Sequence, residues 1–278
     1  MTKGCVLITG ASSGFGFLSS IAFAQKGYEV IATMRDPSQS QELLDKATEN
    51  GCAKNIRVKK LDVTEEKDIV QLKQQLQQEQ CRVDILINNA GYCQGGPTES
   101  VEMEKWRKQF ETNVLGAIAV TKVFLPEMRT RRSGKIIMLS SISGRFGFPA
   151  LGPYSASKFA LEGFSEALRL EMLRFGVYVS LVEPGPFRTK IWEKGMQEAS
   201  VGEDEDYLPF IHTLMSSATH SATKSSDPAK VVTKLLKIAA ARRPKLRYPI
   251  GKSSRMLILL KTILPWTIIE RVVMNKVK

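Results

Sequence analysis

Tyr154 and Lys158 stand four residues apart in Tyr154-Ser155-Ala156-Ser157-Lys158, a spacing that puts two side chains on one face of a helix. The next segment, Phe159 to Phe175, carries helical periodicity. A free phenol has a pKa of about 10 and is a poor base at neutral pH. An ammonium a few ångströms away favours the phenolate and lowers that pKa, so the pair is able to exchange a proton with an alcohol or a ketone. Alone the pattern is weak, because exposed Tyr and Lys often stand one helical turn apart. Its meaning depends on the residues upstream.

The second constellation is Thr9-Gly10-Ala11-Ser12-Ser13-Gly14-Phe15-Gly16, between a short apolar run and a helical one. Glycines at 10, 14 and 16 let the backbone turn sharply and approach a pyrophosphate seated on the free N–H groups of a helix N-terminus. The order G-x-x-x-G-x-G departs from the usual G-x-G-x-x-G of dinucleotide sites. At a strand-to-helix junction opening a βαβ unit it reads as nucleotide binding, where elsewhere it would be only a turn. Gly10, Ser12, Ser13, Gly14, Phe15 and Gly16 are the candidate contacts.

These residues must be held by elements, and the first two thirds of the chain alternates strand and helix. Strands are expected over Cys5–Thr9, Glu29–Met34, Ile56–Leu61, Ile85–Asn88, Gly134–Leu139 and Tyr178–Val182. Helices are expected over Gly14–Lys26, Gln39–Asn50, Lys67–Gln80, a long Glu104–Arg129, and Tyr154–Arg174. Short continuous apolar strands between helices mark a parallel sheet buried on both faces. Right-handed crossovers make it a doubly wound, Rossmann-type α/β fold, with ligands outside the carboxyl ends of the strands. One domain over 1–250 is expected, with an insertion at about 189–226 that either covers a substrate pocket or is a solvated loop. Pro228–Ala241 reads as a helix capped by Asp227, Leu246–Ile250 as the last strand, and 251–278 as a basic amphipathic extension.

Composition excludes several classes. With 43% hydrophobic and 24% charged residues in 278, the chain has enough apolar content for one large core and is ordinary for a soluble protein. Cys5, Cys52, Cys81 and Cys93 show no CxxC or paired spacing, which argues for reduced thiols rather than a disulfide framework. His212 and His220 lack a cysteine cluster to build a metal site with, so no metal is expected. The N-terminus shows no h-region or cleavage site, and a cytoplasmic protein is expected. Net charge is +12, and residues 242–278 hold ten Lys or Arg against one acid, Glu270. That charge, beside apolar runs, favours a membrane surface over nucleic acid. Met256–Val273 is too interrupted by Lys261, Pro265, Glu270 and Arg271 to span a bilayer. It reads first as a lid or packing helix over the substrate entrance, and second as a peripheral contact with anionic lipid through 252–278.

Further motifs make the reading specific. Asp62-Val63 follows the third strand, Asn88-Asn89-Ala90-Gly91 the fourth, and Asn113 stands in Thr112-Asn113-Val114-Leu115-Gly116. Ser141 lies thirteen residues before Tyr154, and Pro184-Gly185 with Thr189 follows the sixth strand. With the Thr-Gly-x-x-x-Gly-x-Gly turn and Tyr-x-x-x-Lys, these resemble the classical short-chain dehydrogenase/reductase family over about residues 3–190. Phe15 departs conservatively from the family's Ile or Leu. The resemblance implies a Tyr154 acid/base and a Lys158 that lowers its pKa and bonds the nicotinamide ribose. It implies that Ser141 stabilises charge on the substrate oxygen, with Ser140 the alternative, and that Asn113 holds a relay water. It places Asp62 and Val63 at the adenine, Asn89, Ala90 and Gly91 behind the nicotinamide, and Pro184, Gly185 and Thr189 at the carboxamide.

Cofactor choice falls to Ala32-Thr33-Met34-Arg35-Asp36. In the family register the carboxylate position of NAD enzymes falls on Met34, and Arg35 follows, as in NADP-preferring members. NADP is therefore expected; a one-residue shift would put Asp36 at the ribose and favour NAD. Ile142, Phe146, Phe148, Phe187, Ile191 and Trp192 form an apolar candidate pocket. It suits a lipophilic carbonyl or alcohol, in keeping with a resemblance to the hydroxysteroid and retinol dehydrogenase-like branch. The resemblance also implies a homodimer or homotetramer, and no nucleic-acid partner is expected.

Overall fold

The apolar runs become strands of one sheet in the computed structural model, which describes residues 3–189, 191, 195, 199, 207, 226–251 and 254–277. The strands are β1 (Cys5–Ile8), β2 (Glu29–Met34), β3 (Ile56–Lys60), β4 (Val83–Asn88), β5 (Gly134–Leu139), β6 (Val177–Pro184) and β7 (Arg247–Ile250). Every neighbouring pair is parallel, in the order β3-β2-β1-β4-β5-β6-β7. The chain winds outward from β1 to β3, then returns to the centre at β4. That reversal leaves a crevice at the carboxyl ends of β1 and β4, where a doubly wound sheet binds its ligand.

Alternation along each strand divides the core into two layers. Val6 and Ile8 of β1, with Val30 and Ala32 of β2, pack on Phe23 and Ala24 of α1 (Gly14–Gln25). Leu43 of α2 (Gln41–Glu49) completes that layer. Leu7 and Ile31 face the other way, against Leu72 of α3 (Glu66–Gln78) and the helices between β4 and β5. Successive side chains of a strand point to opposite faces, so a run apolar at every position demands helices on both sides.

The expected long helix is instead three pieces: α4 (Met103–Phe110), a π-helical turn (Glu111–Gly116) and α5 (Ala117–Thr130). A π turn inserts a residue and re-aims the next helical segment, which a hydrophobic pattern read at 3.6 residues per turn does not reveal. Here it carries Asn113 inward to 1% exposure. It also sets Gly116 where a Cβ would come within 2.8 Å of the Val63 carbonyl oxygen. After β5 the chain makes a short 3-10 turn (Ile142–Gly144) and enters α6 (Gly152–Leu173), with Pro153 in its first turn.

α7 (Ala229–Ala240) starts where Asp227 Oδ1 accepts the Ala229 N–H at 2.9 Å. The C-terminal extension forms α8 (Ser254–Ile263) and α9 (Trp266–Val277). No helix among the described residues is long and apolar enough to cross a membrane. Trp192, the acidic run Glu203-Asp204-Glu205-Asp206, His212 and His220 lie outside the described residues, as does most of the 189–226 insertion.

Candidate active site

The glycine turn is built against the end of β4. Gly10 has φ +68 and Gly14 φ +57, left-handed conformations that side chains disfavour. A Cβ on Gly10 would stand 2.8 Å from the Ala90 Cα, and one on Gly16 would collide with the Gly10 carbonyl. Thr9 Oγ1 accepts the N–H groups of Asn89 and Ala90, each at 2.9 Å. The Asn89 amide donates back to the Thr9 and Gly10 carbonyls at 2.8 and 2.9 Å. One short strand end therefore clamps the turn that opens α1. Ser13 makes no side-chain capping bond and the first turn of α1 carries no acid, so neither its N-cap nor a first-turn carboxylate competes for its N–H groups. Such a helix end fits a diphosphate.

A cleft of about 1050 Å³ runs from this turn to α6. The glycine-turn side of its lining includes Gly10, Ser12, Ser13, Gly14 and Phe15, with Arg35, Asp62 and Val63 further along. Asn89, Ala90, Gly91, Pro184, Gly185 and Thr189 line it too, and Ser141, Tyr154 and Lys158 stand at its far end. Gly16, Asp36 and Asn113 are not on its wall. Gly16 lies beneath the turn, and Asn113 acts from behind. The Asn113 amide accepts the Tyr92 N–H at 3.1 Å and donates to the Tyr92 carbonyl at 3.0 Å and to Ser157 Oγ at 3.3 Å. Its side chain thus ties the π turn to Tyr92, in the segment after β4, and to Ser157 of α6.

Ser141, Tyr154 and Lys158 are each 4–5% exposed. Ser141 begins the 3-10 turn with extended backbone and accepts the Ser143 N–H at 3.1 Å. Lys158 donates to the Leu139 carbonyl at 2.7 Å, and its ammonium lies 5.7 Å from the Tyr154 ring centre. Burial pushes the Lys158 ammonium down to about 8, with Cys93 and Glu162 opposing. Burial, and secondarily Cys93, push the Tyr154 phenol above its ordinary value, while a hydrogen bond with Ser141 pulls it back. Desolvation dominates at Tyr154, because burial penalises the charged phenolate. The protonated phenol is the form required of an acid that protonates a carbonyl oxygen.

At the end of β2 the two candidate selectors part company. Met34 is buried, and Arg35 is exposed and lines the cleft. Asp36 turns away: its carboxylate accepts the Ser38 N–H at 3.0 Å and the Ser38 hydroxyl at 2.7 Å, capping the 3-10 turn Pro37–Ser40. Those hydrogen bonds hold it below the ordinary carboxylate range.

Three consecutive residues that sequence reasoning passed over, Tyr92, Cys93 and Gln94, also line the cleft. Their signal was position, directly after Asn-Ala-Gly at a strand end. Of the apolar candidates, Phe187 and Ile191 line the cleft, whereas Ile142, Phe146 and Phe148 do not. Phe146 packs instead on Phe148 at 4.8 Å and on Trp266 of α9 at 6.3 Å between ring centres.

Beneath the site is an ionic cluster, built on the buried Glu162 and Glu183, with no sequence signature. Arg247 of β7 pairs with Glu162 at 2.9 Å, Glu166 at 2.7 Å and Glu183 at 3.4 Å, and Arg145 meets Glu183 at 3.3 Å. Glu162 lies one turn of α6 beyond Lys158. Burial pushes its carboxyl up to about 7, with Glu183 adding and Ser140, Arg247 and Arg145 opposing. The folded chain then keeps a proton that the unfolded chain releases near pH ~4.3. Protons bound in the folded state exceed those in the unfolded state across that interval, so stability falls as pH rises from about 5 to about 7. Glu162→Gln is expected to flatten this slope in urea titrations at pH 5, 6 and 7. A variant as steep as the parent would place the proton on another group.

These features define a nicotinamide-dinucleotide oxidoreductase. The short-chain dehydrogenase family matches residues 4–199. The chain is 40% identical over 279 residues to uncharacterized oxidoreductase YusZ of Bacillus subtilis, covering 99% of each chain. It is 35% identical to human retinol dehydrogenase 8, covering 93% of this chain and 85% of that one. Among solved structures, serine dehydrogenase complexed with NADP+ has a TM-score of 0.77 at 27% identity, covering 89% of this chain and 94% of that one. The chain belongs to the classical short-chain dehydrogenase/reductase family. It is an oxidoreductase acting on CH–OH groups and binds NAD(P), in a family generally oligomeric.

Proposed function

We propose that the chain is an NADP(H)-dependent enzyme interconverting an alcohol and its ketone or aldehyde on a lipophilic substrate. The observation that carries the cofactor preference is the divergence of Arg35 and Asp36. A guanidinium at the cleft wall suits the 2′-phosphate of NADP, while the carboxylate that would suit the NAD ribose is spent on a turn. When bound, the cofactor supplies or accepts hydride at its nicotinamide. In reduction Tyr154 gives its phenolic proton to the substrate oxygen, Ser141 donates a hydrogen bond to that oxygen, and Lys158 restores the proton balance at Tyr154. In oxidation the proton moves the other way.

Phe187 and Ile191 add apolar side chains to the cleft wall, and the name of human retinol dehydrogenase 8 points to a lipophilic alcohol. The serine dehydrogenase likeness shows the fold also accepts a polar substrate, so the lining carries the argument. The C-terminal helices pack on the segment after Ser141, where Lys261 donates to the Arg145 carbonyl and lies over the rings of Phe146 and Phe159, which supports a packing role. Their outer faces expose Met256, Leu259, Ile263 and Trp266 beside Arg255 and Arg271, which supports a second reading as a peripheral contact with anionic lipid. A homodimer or homotetramer in the cytoplasm completes the reading.

The test is NADPH consumption with a graded set of ketones and aldehydes. Turnover rising with substrate apolarity is expected. Faster turnover of small polar carbonyls would overturn the lipophilic assignment. Turnover with NADH alone would overturn the cofactor assignment, and cofactor binding without turnover of any carbonyl or alcohol would favour a regulatory NADP-binding protein.

A further inference from the structure

The cysteine spacing predicts isolated thiols, yet the fold brings two of them together at the end of the sheet remote from the cleft. Cys5 opens β1, and Cys81 comes directly after Gln80, whose φ of 53 turns the chain from α3 toward β4. The two are 76 residues apart in sequence and their Sγ atoms are 3.1 Å apart. Cys5 is buried and Cys81 half-buried, so a small solvent-borne reagent has access from the Cys81 side. Beside them Arg57 of β3 pairs with Glu29 of β2 and with Glu79. The hydrogen bond with Cys5 lowers the Cys81 thiol, with the Arg57 guanidinium adding and burial and Glu29 opposing, while the same bond and burial push Cys5 up. Of the pair, Cys81 is the more readily deprotonated and the one open to solvent, while Cys5 is held toward the thiol form. The chemistry proposed for the cleft uses neither.

We propose that Cys81 and Cys5 form a hydroperoxide-responsive thiol pair, in which Cys81 attacks the oxidant and Cys5 resolves the product as a reversible disulfide. In the first step the Cys81 sulfur attacks one oxygen of the peroxide O–O bond. Sulfur is oxidised to sulfenic acid, the O–O bond breaks, and the other oxygen leaves as an alcohol or water after taking a proton. In the second step the Cys5 sulfur attacks the sulfenic sulfur, an S–S bond forms, and the hydroxyl leaves as water with the Cys5 proton. The two thiols together give up the two electrons that the peroxide gains. Closing from 3.1 Å to an S–S bond of about 2.05 Å asks for a small side-chain rotation. A solvent-accessible thiol whose pKa is lowered, beside a resolving cysteine, is the pattern of redox sensors.

The same sulfurs and the Glu29 carboxylate lie within 4.8 Å of one another, the one such group of metal-ligating types among the described residues. Arg57 argues against a dication, because its guanidinium already pairs with Glu29 and adds positive charge beside both thiols. Cys52 and Cys93 serve as internal controls: both are buried, and burial raises both.

The test exposes the reduced full-length protein to stoichiometric hydrogen peroxide, blocks remaining thiols with an alkylating agent, and maps the peptides without reduction. A Cys5–Cys81 crosslink that dithiothreitol reverses, with Cys52 and Cys93 still alkylated, is expected. Cys5→Ala should instead leave a Cys81 sulfenic acid that dimedone traps. Cys81 recovered as a free thiol, or crosslinked to another chain, would overturn the proposal. So would uptake of one Zn²⁺ per reduced chain with both thiols protected from alkylation.

Discussion

Replacing Tyr154 with phenylalanine is expected to abolish turnover while leaving NADPH binding close to that of the parent. The hydroxyl is the group that would carry the proton, and positioned acid–base groups contribute about 10²–10⁴-fold in rate. The substitution keeps the ring, so the buried site at the start of α6 keeps its packing and the fold is expected to hold. Ser141 loses the hydrogen bond that joins it to the phenol but keeps the Ser143 N–H. Turnover measured beside quenching of tryptophan fluorescence by NADPH separates the two effects. A variant retaining more than a few per cent of the parent rate would remove Tyr154 as the acid. Loss of NADPH binding along with turnover would make its role structural.

Arg35→Ala is expected to weaken NADPH and spare NADH. A charge-assisted hydrogen bond from guanidinium to phosphate contributes about 1.5–3 kcal/mol, or roughly 10- to 150-fold in Kd. Because Arg35 is exposed, solvent screening favours the lower end of that range. Parallel titrations of both cofactors at fixed ionic strength make the measurement. Equal losses for the two would show that Arg35 does not read the phosphate. Asp36→Ala is the useful control, since its carboxylate caps the Pro37–Ser40 turn. Stronger loss of NADH in that variant would return the choice to NAD.

Much of the site was legible because its parts are coded locally. A Tyr-x-x-x-Lys pair shares a face by helical geometry alone, and a glycine turn between strand and helix needs no distant residue to be recognised. The strand and helix order was readable for a similar reason: two-sided burial leaves continuous apolar runs, as in Val30-Ile31-Ala32. The π turn at Glu111–Gly116 was not readable, because it changes the helical period over a single turn. Nor was the engagement of Phe146 by Trp266, which depends on where the C-terminal helices come to rest.

By itself, then, the sequence determined the reaction class, since the glycine turn, the Tyr-x-x-x-Lys pair and the strand-end motifs are short patterns whose chemistry comes from residue type and spacing. Only the tertiary structure decided which charges meet and which protons stay. It set Arg35 on the cleft while Asp36 turned to its own loop. It joined Arg247 to Glu162 and Glu183 across β7, α6 and β6, and brought Cys5 to Cys81 across 76 residues. The physical reason is that contacts between distant residues are set by strand order and register. Protonation at Tyr154, Lys158 and Glu162 is set by burial, which no single stretch of sequence contains.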